Sequence, residues 1–162
     1  TFGPSATRAP APDSLSAASQ LIRNGADYEK ALLLLRDKKP LSLLQLFGRA
    51  AVRSKASLGK NILWSFLTIE DFEKTNRVPA DVPLALDYLE EEFLPETLVV
   101  LLWQDPETKM VHADIGGRPE YVEKAANHLS GTRHNSHFRI ASSFEVFQEA
   151  ENYLASLLEP IL

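Results

Sequence analysis

Residues 97–115, TLVVLLWQDPETKMVHADI, decide the fold of this chain. Residues 97–103 form an apolar run of the length and composition of a buried β-strand. Asp105-Pro106-Glu107-Thr108 has the composition of a turn, and residues 110–115 return as a second strand. The segment therefore predicts an antiparallel β-hairpin.

A further strand and two helices are predicted upstream of the hairpin. Residues 62–67, ILWSFL, are apolar on both alternating faces, which predicts a strand covered on both sides. Thr68 followed by Asp71 resembles a capping box that opens a short helix. Asp81 with Pro83 predicts the start of another helix, whose glutamates point to water. The two helices therefore connect one strand to the next.

The N-terminal third is predicted to be helical after an extended arm. Residues 1–12 contain three prolines and no periodicity, which predicts a linker or a docking segment. Asp13 or Ser14 caps a first helix that runs to about Arg23, where Asn24-Gly25 stops it. A second helix is predicted at about 28–36. A third is predicted to begin with Pro40 in its first turn and to end at the loop formed by residues 54–60.

Beyond the hairpin the pattern predicts a break, two helices and one more strand. The elements, in order, are a break at Gly116-Gly117, a helix at 120–129, a polar loop at 130–136, a strand at 137–141 and a helix capped by Ser142 or Ser143 that includes Phe144. The order predicts an α/β fold, a mixed sheet of about four strands with flanking helices, preceded by a small helical subdomain. The predicted domains are an arm at 1–12, a helical linker at 13–58 and an α/β domain at 59–162.

Composition excludes several kinds of site. The chain has 162 residues and no cysteine, which excludes disulfides, thiolate nucleophiles, cysteine-ligated zinc and iron–sulfur clusters. Its longest apolar runs are too short to cross a bilayer and it opens with no secretion signal, so we expect a cytoplasmic protein without a membrane partner. Because the chain begins at Thr1 rather than Met, we expect a native N-terminus that was removed, is disordered or belongs to a longer protein.

Positive charge is concentrated near the C-terminal half of an acidic chain. The net charge is −5, yet residues 116–141 contain four Lys/Arg and two acids, and all four histidines lie in or beside this stretch. Such a distribution argues against a duplex-coating surface but is compatible with a site for a small anion.

The strongest local signal for binding is the predicted loop Ser130-Gly131-Thr132-Arg133-His134-Asn135-Ser136-His137. Nearly every residue in it can donate a hydrogen bond, and arginine offers a forked contact to phosphate or carboxylate oxygens. The alternative is a polar loop that simply faces water. His134 and His137 have a metal-like spacing, but Asp114 is the one carboxylate expected nearby, so no metal site is predicted.

Complete catalytic motifs are absent from the sequence. Gly116-Gly117-Arg118 could present peptide N–H groups to an anion, although a tight turn is the better explanation of the two glycines. There is no nucleophile elbow, phosphate-binding loop or dinucleotide fingerprint. Acidic groups such as Asp71 with Glu73, or residues 90–92, are expected on exposed helix faces. No catalytic residue is therefore predicted in this chain.

Four segments of the chain resemble successive segments of DHH-family phosphoesterases. They are Asn24-Gly25-Ala26-Asp27, Lys39-Pro40-Leu41, Leu46-Phe47-Gly48-Arg49-Ala50 and the run WSFLTIEDFEKT at 64–75. The resemblance continues through the strand at 111–115 and the last two helices. The family is named for an Asp-His-His motif and includes nanoRNases, 3′-phosphoadenosine-5′-phosphate phosphatases and exopolyphosphatase-related proteins.

The resemblance implies a substrate-binding role without a metal site in this chain. In the family an N-terminal domain holds two divalent metal ions, Mn or Mg, and a C-terminal domain grips the substrate. This chain resembles the C-terminal part, so the implied ligands are short oligonucleotides or nucleoside bisphosphates. By this resemblance, His134 matches the histidine of the family's glycine-rich loop, where only Gly131 is retained. Gly116 stands where the family often has an arginine, with Arg118 as a displaced substitute. The implied substrate-binding residues are Arg118, Gly131, Thr132, Arg133, His134, Asn135, Ser136 and His137.

The sequence is compatible with two other functions. One is a degenerate, non-catalytic domain that acts in protein interaction or regulation, because the other glycines of the loop are absent. The other is an independent metal hydrolase built on the four histidines. Apolar area on the N-terminal helices favours contact with a missing N-terminal domain, and a homodimer is also possible.

Overall fold

The computed structural model of the chain describes residues 12–27, 39–57, 61–93, 97–134 and 136–161. The chain divides into two compact units, Thr1–Lys39 and Pro40–Leu162. In the first unit, helix α1 spans Pro12–Arg23 and begins slightly before the predicted cap. Gly25 follows it with a left-handed φ of 81°, as the Asn24-Gly25 stop predicts. The predicted helix at 28–36 and residues 1–11 of the predicted arm lie outside the described residues.

The second unit begins with Pro40 and carries the sheet. Its elements are α2 (Leu41–Val52), β1 (Lys55–Ala56), β2 (Ile62–Leu67), α3 (Ile69–Thr75), a 3-10 turn (Pro79–Asp81), α4 (Val82–Glu92), β3 (Leu98–Gln104), β4 (Val111–Gly117), α5 (Pro119–His128), β5 (Gly131–His134), β6 (His137–Ile140) and α6 (Phe147–Leu158). Helix α2 belongs to this unit, whereas the sequence places it in the helical linker. The division after residue 58 stays a prediction.

The strands form one mixed sheet in the order β1-β2-β3-β4-β6-β5. Strands β2 and β3 are parallel, and the other neighbours are antiparallel. The predicted α/β class is confirmed, but the sheet has six strands rather than about four. Two short strands escaped prediction because β1 has two residues and because β5 is polar and exposed along its whole length.

Helices cover both faces of the sheet. Alternate residues of β3 enter two separate cores: Leu98, Val100 and Leu102 pack with α5 and α6, whereas Val99, Leu101 and Trp103 pack with α2, α3 and α4. Each fully buried Leu or Val in these cores contributes about 2 kcal/mol relative to its exposed state. The near-continuous apolar pattern of β2 and β3 therefore reflects burial on both sides.

Two predicted boundaries near the C-terminus are wrong. Strand β4 continues through Gly116 and Gly117, which pair with Val99 and Leu98, so the glycines do not break the hairpin. The last helix begins at Phe147 rather than after Ser142 or Ser143. Phe144 instead exchanges two backbone hydrogen bonds with Val111, of 2.8 and 2.9 Å, which extends the sheet locally.

Asp71 is buried, contrary to its predicted exposure. Its side chain is 0% exposed and its carboxylate accepts hydrogen bonds from Thr68 N, at 2.8 Å, and from Arg49, at 2.9 Å. Arg53 also pairs with it. Burial alone would raise the pKa of Asp71, but the hydrogen bonds from Thr68 and the two guanidinium groups outweigh burial and lower it. The contact with Thr68 is the predicted capping box, so Asp71 both caps α3 and joins it to α2.

The described helices include none that is long and apolar enough to cross a membrane.

Candidate functional site

The predicted donor-rich loop is a hairpin of two short strands. In β5 and β6, Gly131 lies opposite Ile140, and His134 lies opposite His137. Gly131 is required here because a Cβ atom would lie 2.2 Å from the Arg139 carbonyl oxygen. All four residues of β5 are exposed, as is Ser136, and Asn135 lies outside the described residues. The polar residues are therefore held by strand pairing rather than by a mobile loop.

A cavity of about 270 Å³ lies where this hairpin meets the start of α4. The residues that line it are Pro79, Ala80, Pro83, Asp114, His134, His137 and Arg139. It brings together two of the predicted substrate-binding residues, His134 and His137. It adds Arg139, which the sequence places in the basic stretch without a role, and Asp114.

Arg139 is held in place by Asp114 on the neighbouring strand. The two residues are register partners in β6 and β4, and Arg139 Nε and Nη2 lie 2.8 and 2.9 Å from the two oxygens of Asp114. Trp103 Nε1 donates to the same carboxylate at 2.9 Å, and the guanidinium lies 5.2 Å from the Trp103 ring centroid. The Asp114 hydrogen bonds raise the pKa of Arg139 despite partial burial. This forked pair leaves Nη1 outside the contact with Asp114.

His137 faces two carboxylates of α4. Its Nε2 lies 3.0 Å from Asp87 Oδ1 and 3.2 Å from Glu90 Oε1. The His137 side chain is 8% exposed, Glu90 9% and Asp87 49%. Burial alone would lower the pKa of His137, but the two carboxylates raise it to about 9. The predicted exposure of Glu90 is therefore wrong, because Glu90 turns into the fold toward β6.

Gly116 makes room for Glu90. A Cβ atom on Gly116 would lie 1.9 Å from Glu90 Oε1. The next residue, Gly117, has a φ of 114°, and a Cβ atom there would lie 2.4 Å from the Thr97 carbonyl oxygen. Both glycines therefore have steric reasons within the fold, in place of the tight turn or the anion nest that the sequence suggests.

The other predicted site residues that the structure describes do not line the cavity. Arg118 occupies the N-cap position of α5, where its Nη1 is 3.2 Å from Glu120 Oε1. Arg133 projects from β5 with its Nη1 4.0 Å from Glu123 Oε1. Thr132 and Ser136 are exposed near the same edge of the sheet. The described structure does not gather these residues around one point.

The four histidines do not form a common site. His112 is stacked on Trp103 with ring centroids 4.8 Å apart, and His128 is exposed on α5, where its Nδ1 is 2.8 Å from the Lys124 carbonyl oxygen. The hypothesis of a hydrolase built on four histidines is therefore wrong. Among the described residues, the side chains of metal-ligand type whose donor atoms converge are Asp87, Glu90 and His137.

Sequence reasoning missed Asp87, Glu90 and Arg139 as members of the site. Asp87 and Glu90 are three residues apart on α4, a spacing that places both on one helix face. The spacing of the two acids is visible in the sequence, but their partner, His137, is 47 residues beyond Glu90 in the chain. Only the packing of α4 against β4 and β6 brings them together.

A larger cavity of about 490 Å³ lies between α2 and α3. Its lining includes Arg49, Arg53 and Lys74. Both arginines bind Asp71, and Lys74 pairs with Glu70, so the positive charges there are engaged within the fold. This cavity therefore follows from the packing of the two helices.

Comparison with known proteins gives a likeness of fold. No family model matches the chain, and no curated protein matches it. The crystal structure of an exopolyphosphatase-related protein from Bacteroides fragilis is similar, with a TM-score of 0.67 and 18% sequence identity. The match covers 93% of this chain and 44% of that protein. The chain therefore shares its α/β fold with part of a protein of more than twice the matched length.

Proposed function

We propose that the chain is the substrate-binding part of a DHH-type phosphoesterase that hydrolyses phosphate esters of short oligonucleotides or nucleoside bisphosphates. Under this proposal, an N-terminal domain of the same protein supplies the divalent metal ions, Mn or Mg, and the attacking water. The structural similarity covers 44% of an exopolyphosphatase-related protein, which supports a role for this chain as one part of a larger phosphoesterase. The resemblance of the sequence segments to the DHH family supports it independently.

The observation that carries the proposal is the cavity lined by His134, His137 and Arg139. Phosphate oxygens accept strong hydrogen bonds from guanidinium and imidazolium groups. Asp114 fixes Arg139 through Nε and Nη2, so Nη1 is oriented without a further loss of side-chain entropy on binding. His134 is exposed on the adjacent strand, where it can approach a ligand in the cavity.

The other predicted residues have a secondary role in this proposal. Arg133 in β5 and Arg118 at the start of α5 are partly exposed, and each has a carboxylate neighbour in α5. Thr132, Asn135 and Ser136 belong to the same edge by sequence. We assign them contacts with the sugar, the base or a second phosphate, beyond the group bound in the cavity.

Nitrogen-15 NMR of the histidine side chains tests the proposal. The full chain is titrated with 3′-phosphoadenosine-5′-phosphate and with a dinucleotide, in the presence of a chelator. We expect the His134 signals to shift, and His134→Ala to weaken binding at least about tenfold, as expected for loss of a charge-assisted hydrogen bond. His128→Ala is the matched control, because it removes an exposed histidine outside the cavity. No shift at millimolar ligand, or equal effects of the two variants, contradicts the proposal.

A non-catalytic interaction domain is the second candidate, and the ion pairs favour it. Each cation near the hairpin has a carboxylate close by: Arg118 has Glu120, Arg133 has Glu123, Arg139 has Asp114, and His137 has Asp87 and Glu90. These carboxylates compete with an incoming phosphate for the same donors. A chain that folds normally and leaves all histidine signals unchanged in the titration supports this second function.

A further inference from the structure

We propose that Asp87, Glu90 and His137 bind one divalent first-row metal ion, with Zn²⁺ bound more tightly than Mn²⁺. One imidazole nitrogen and two carboxylate oxygens are a ligand set that suits these ions. The site is distinct from the metal centre that the DHH resemblance implies in a preceding domain. It does not depend on phosphate binding by the cavity.

Two of the three separations between the donor atoms fit coordination to a common ion. The donor atoms of the three residues lie within 4.8 Å of one another, and His137 Nε2 is 3.0 Å from Asp87 Oδ1 and 3.2 Å from Glu90 Oε1. Zinc bonds to nitrogen and oxygen are about 2.0–2.2 Å long, so ligand atoms at tetrahedral or octahedral angles are roughly 2.9–3.5 Å apart. The two N···O separations fall within that interval.

Two buried atoms of the cluster have no hydrogen-bond partner among the described residues. They are His137 Nε2 and Glu90 Oε1. The carboxylate oxygens lie 3.0 Å and 3.2 Å from Nε2, within hydrogen-bond distance, but neither contact has the geometry of a hydrogen bond. Oxygens that share a metal ion with an imidazole nitrogen lie off the direction in which that nitrogen would donate, because the ligand–metal–ligand angle is about 90–110°.

Burial makes the unpartnered atoms significant. The side chains of His137 and Glu90 are both more than nine-tenths buried. Buried polar atoms are nearly always satisfied in folded proteins, so two unpartnered atoms that face each other indicate a missing ligand. A metal ion satisfies both at once and compensates the two carboxylate charges.

The scaffold holds the three ligands on rigid elements. Asp87 and Glu90 lie on one face of α4, whose fully buried Leu86 and Leu89 anchor the helix to the sheet. His137 begins β6, and Gly116 provides the space that Glu90 occupies. Asp87 is half exposed, and His137 also borders the cavity. The ion would therefore retain an open position toward solvent, which water or an anion can fill.

Isothermal titration of the full chain with ZnCl₂, and then with MnCl₂, tests the proposal. We expect one tightly bound Zn²⁺ per chain at pH 7, a shift of the His137 Nε2 nitrogen-15 signal and visible absorption of a Co²⁺-loaded sample. Glu90→Gln and Asp87→Asn preserve size and remove one ligand charge each, and we expect each to weaken Zn²⁺ binding at least about tenfold.

The controls separate this site from adventitious binding. Glu92→Gln changes an exposed carboxylate of the same helix, and His128→Ala removes a histidine of α5, so both should bind Zn²⁺ as the unaltered chain does. Circular dichroism checks that each variant is folded. No binding at millimolar Zn²⁺, or binding that Glu90→Gln and Asp87→Asn leave unchanged, overturns the proposal. In that case the three side chains form an ion pair network, in which protonated His137 partly neutralises the charges of the two carboxylates. Because the nucleotide titration contains a chelator, its outcome is independent of this one.

Discussion

Replacement of Asp71 by alanine should destabilise the domain by about 3 kcal/mol. Loss of one partner of a buried ion pair costs about 3–5 kcal/mol, because the remaining charge loses its compensation. The Arg49 and Arg53 side chains are 34% and 35% exposed, so water partly solvates them and the lower end of that interval applies. Asp71→Asn retains an oxygen for the Thr68 N–H group, and we expect it to cost about 2 kcal/mol.

Urea unfolding at pH 7, followed by circular dichroism, measures both losses. Glu70→Gln is the matched control, because it neutralises the neighbouring acid of the same helix. That acid is exposed and pairs with Lys74, so the free energy of unfolding should fall far less than it does for Asp71→Ala. The pKa of Asp71 is lowered in the folded state, so its contribution is present above the unfolded value of 3.8 and is lost as the pH falls through the folded value. The difference between wild type and Asp71→Ala should therefore close in acid. A loss below about 1 kcal/mol at pH 7, or a loss equal to that of the control, would refute this account.

Two further predictions concern β4 and β6. Gly117→Ala should lower the free energy of unfolding by about 2 kcal/mol, because the φ of 114° is strained for alanine and its Cβ would collide with the Thr97 carbonyl oxygen. Thermal unfolding measures this loss. An unchanged melting temperature would show that the strand relaxes at no cost. The pKa of His137 is raised from 6.5 to about 9. In the metal-free chain, its contribution to the free energy of unfolding is therefore fully present below pH 6.5 and is lost as the pH rises through about 9. The stability advantage of wild type over His137→Gln, measured by urea unfolding with a chelator, should shrink from pH 7 to pH 10, and an advantage independent of pH would argue against a charged His137.

The central strands were predictable because their own sequence carries the signal. Strands β2 and β3 are buried on both faces, so almost every residue in them is apolar whatever its neighbours are. Strand β5 gave no such signal, since it lies at the edge of the sheet and all its side chains face solvent. Its hydrogen bonds to β6 involve backbone groups, which every sequence possesses.

The charged residues were harder to place than the strands. Asp71 and Glu90 both occur on helices with several acids, and the helical period alone assigns acids to the solvated face. Their burial depends on distant residues: two arginines of α2 in one case, and Gly116 with His137 in the other. His134 and His137 both line the smaller cavity, but the partners of His137 come from α4, which sequence spacing cannot indicate.

The two edge strands of the sheet are both very short. Strand β1 contributes two residues at one margin and β5 four residues at the other, so each offers few backbone groups to an additional strand. Long apolar margins are the usual route by which sheet proteins polymerise or form fibrils. The two edge strands themselves therefore offer little backbone to that route. We therefore expect any self-association of the domain to use side-chain faces of its helices rather than a continuous intermolecular sheet.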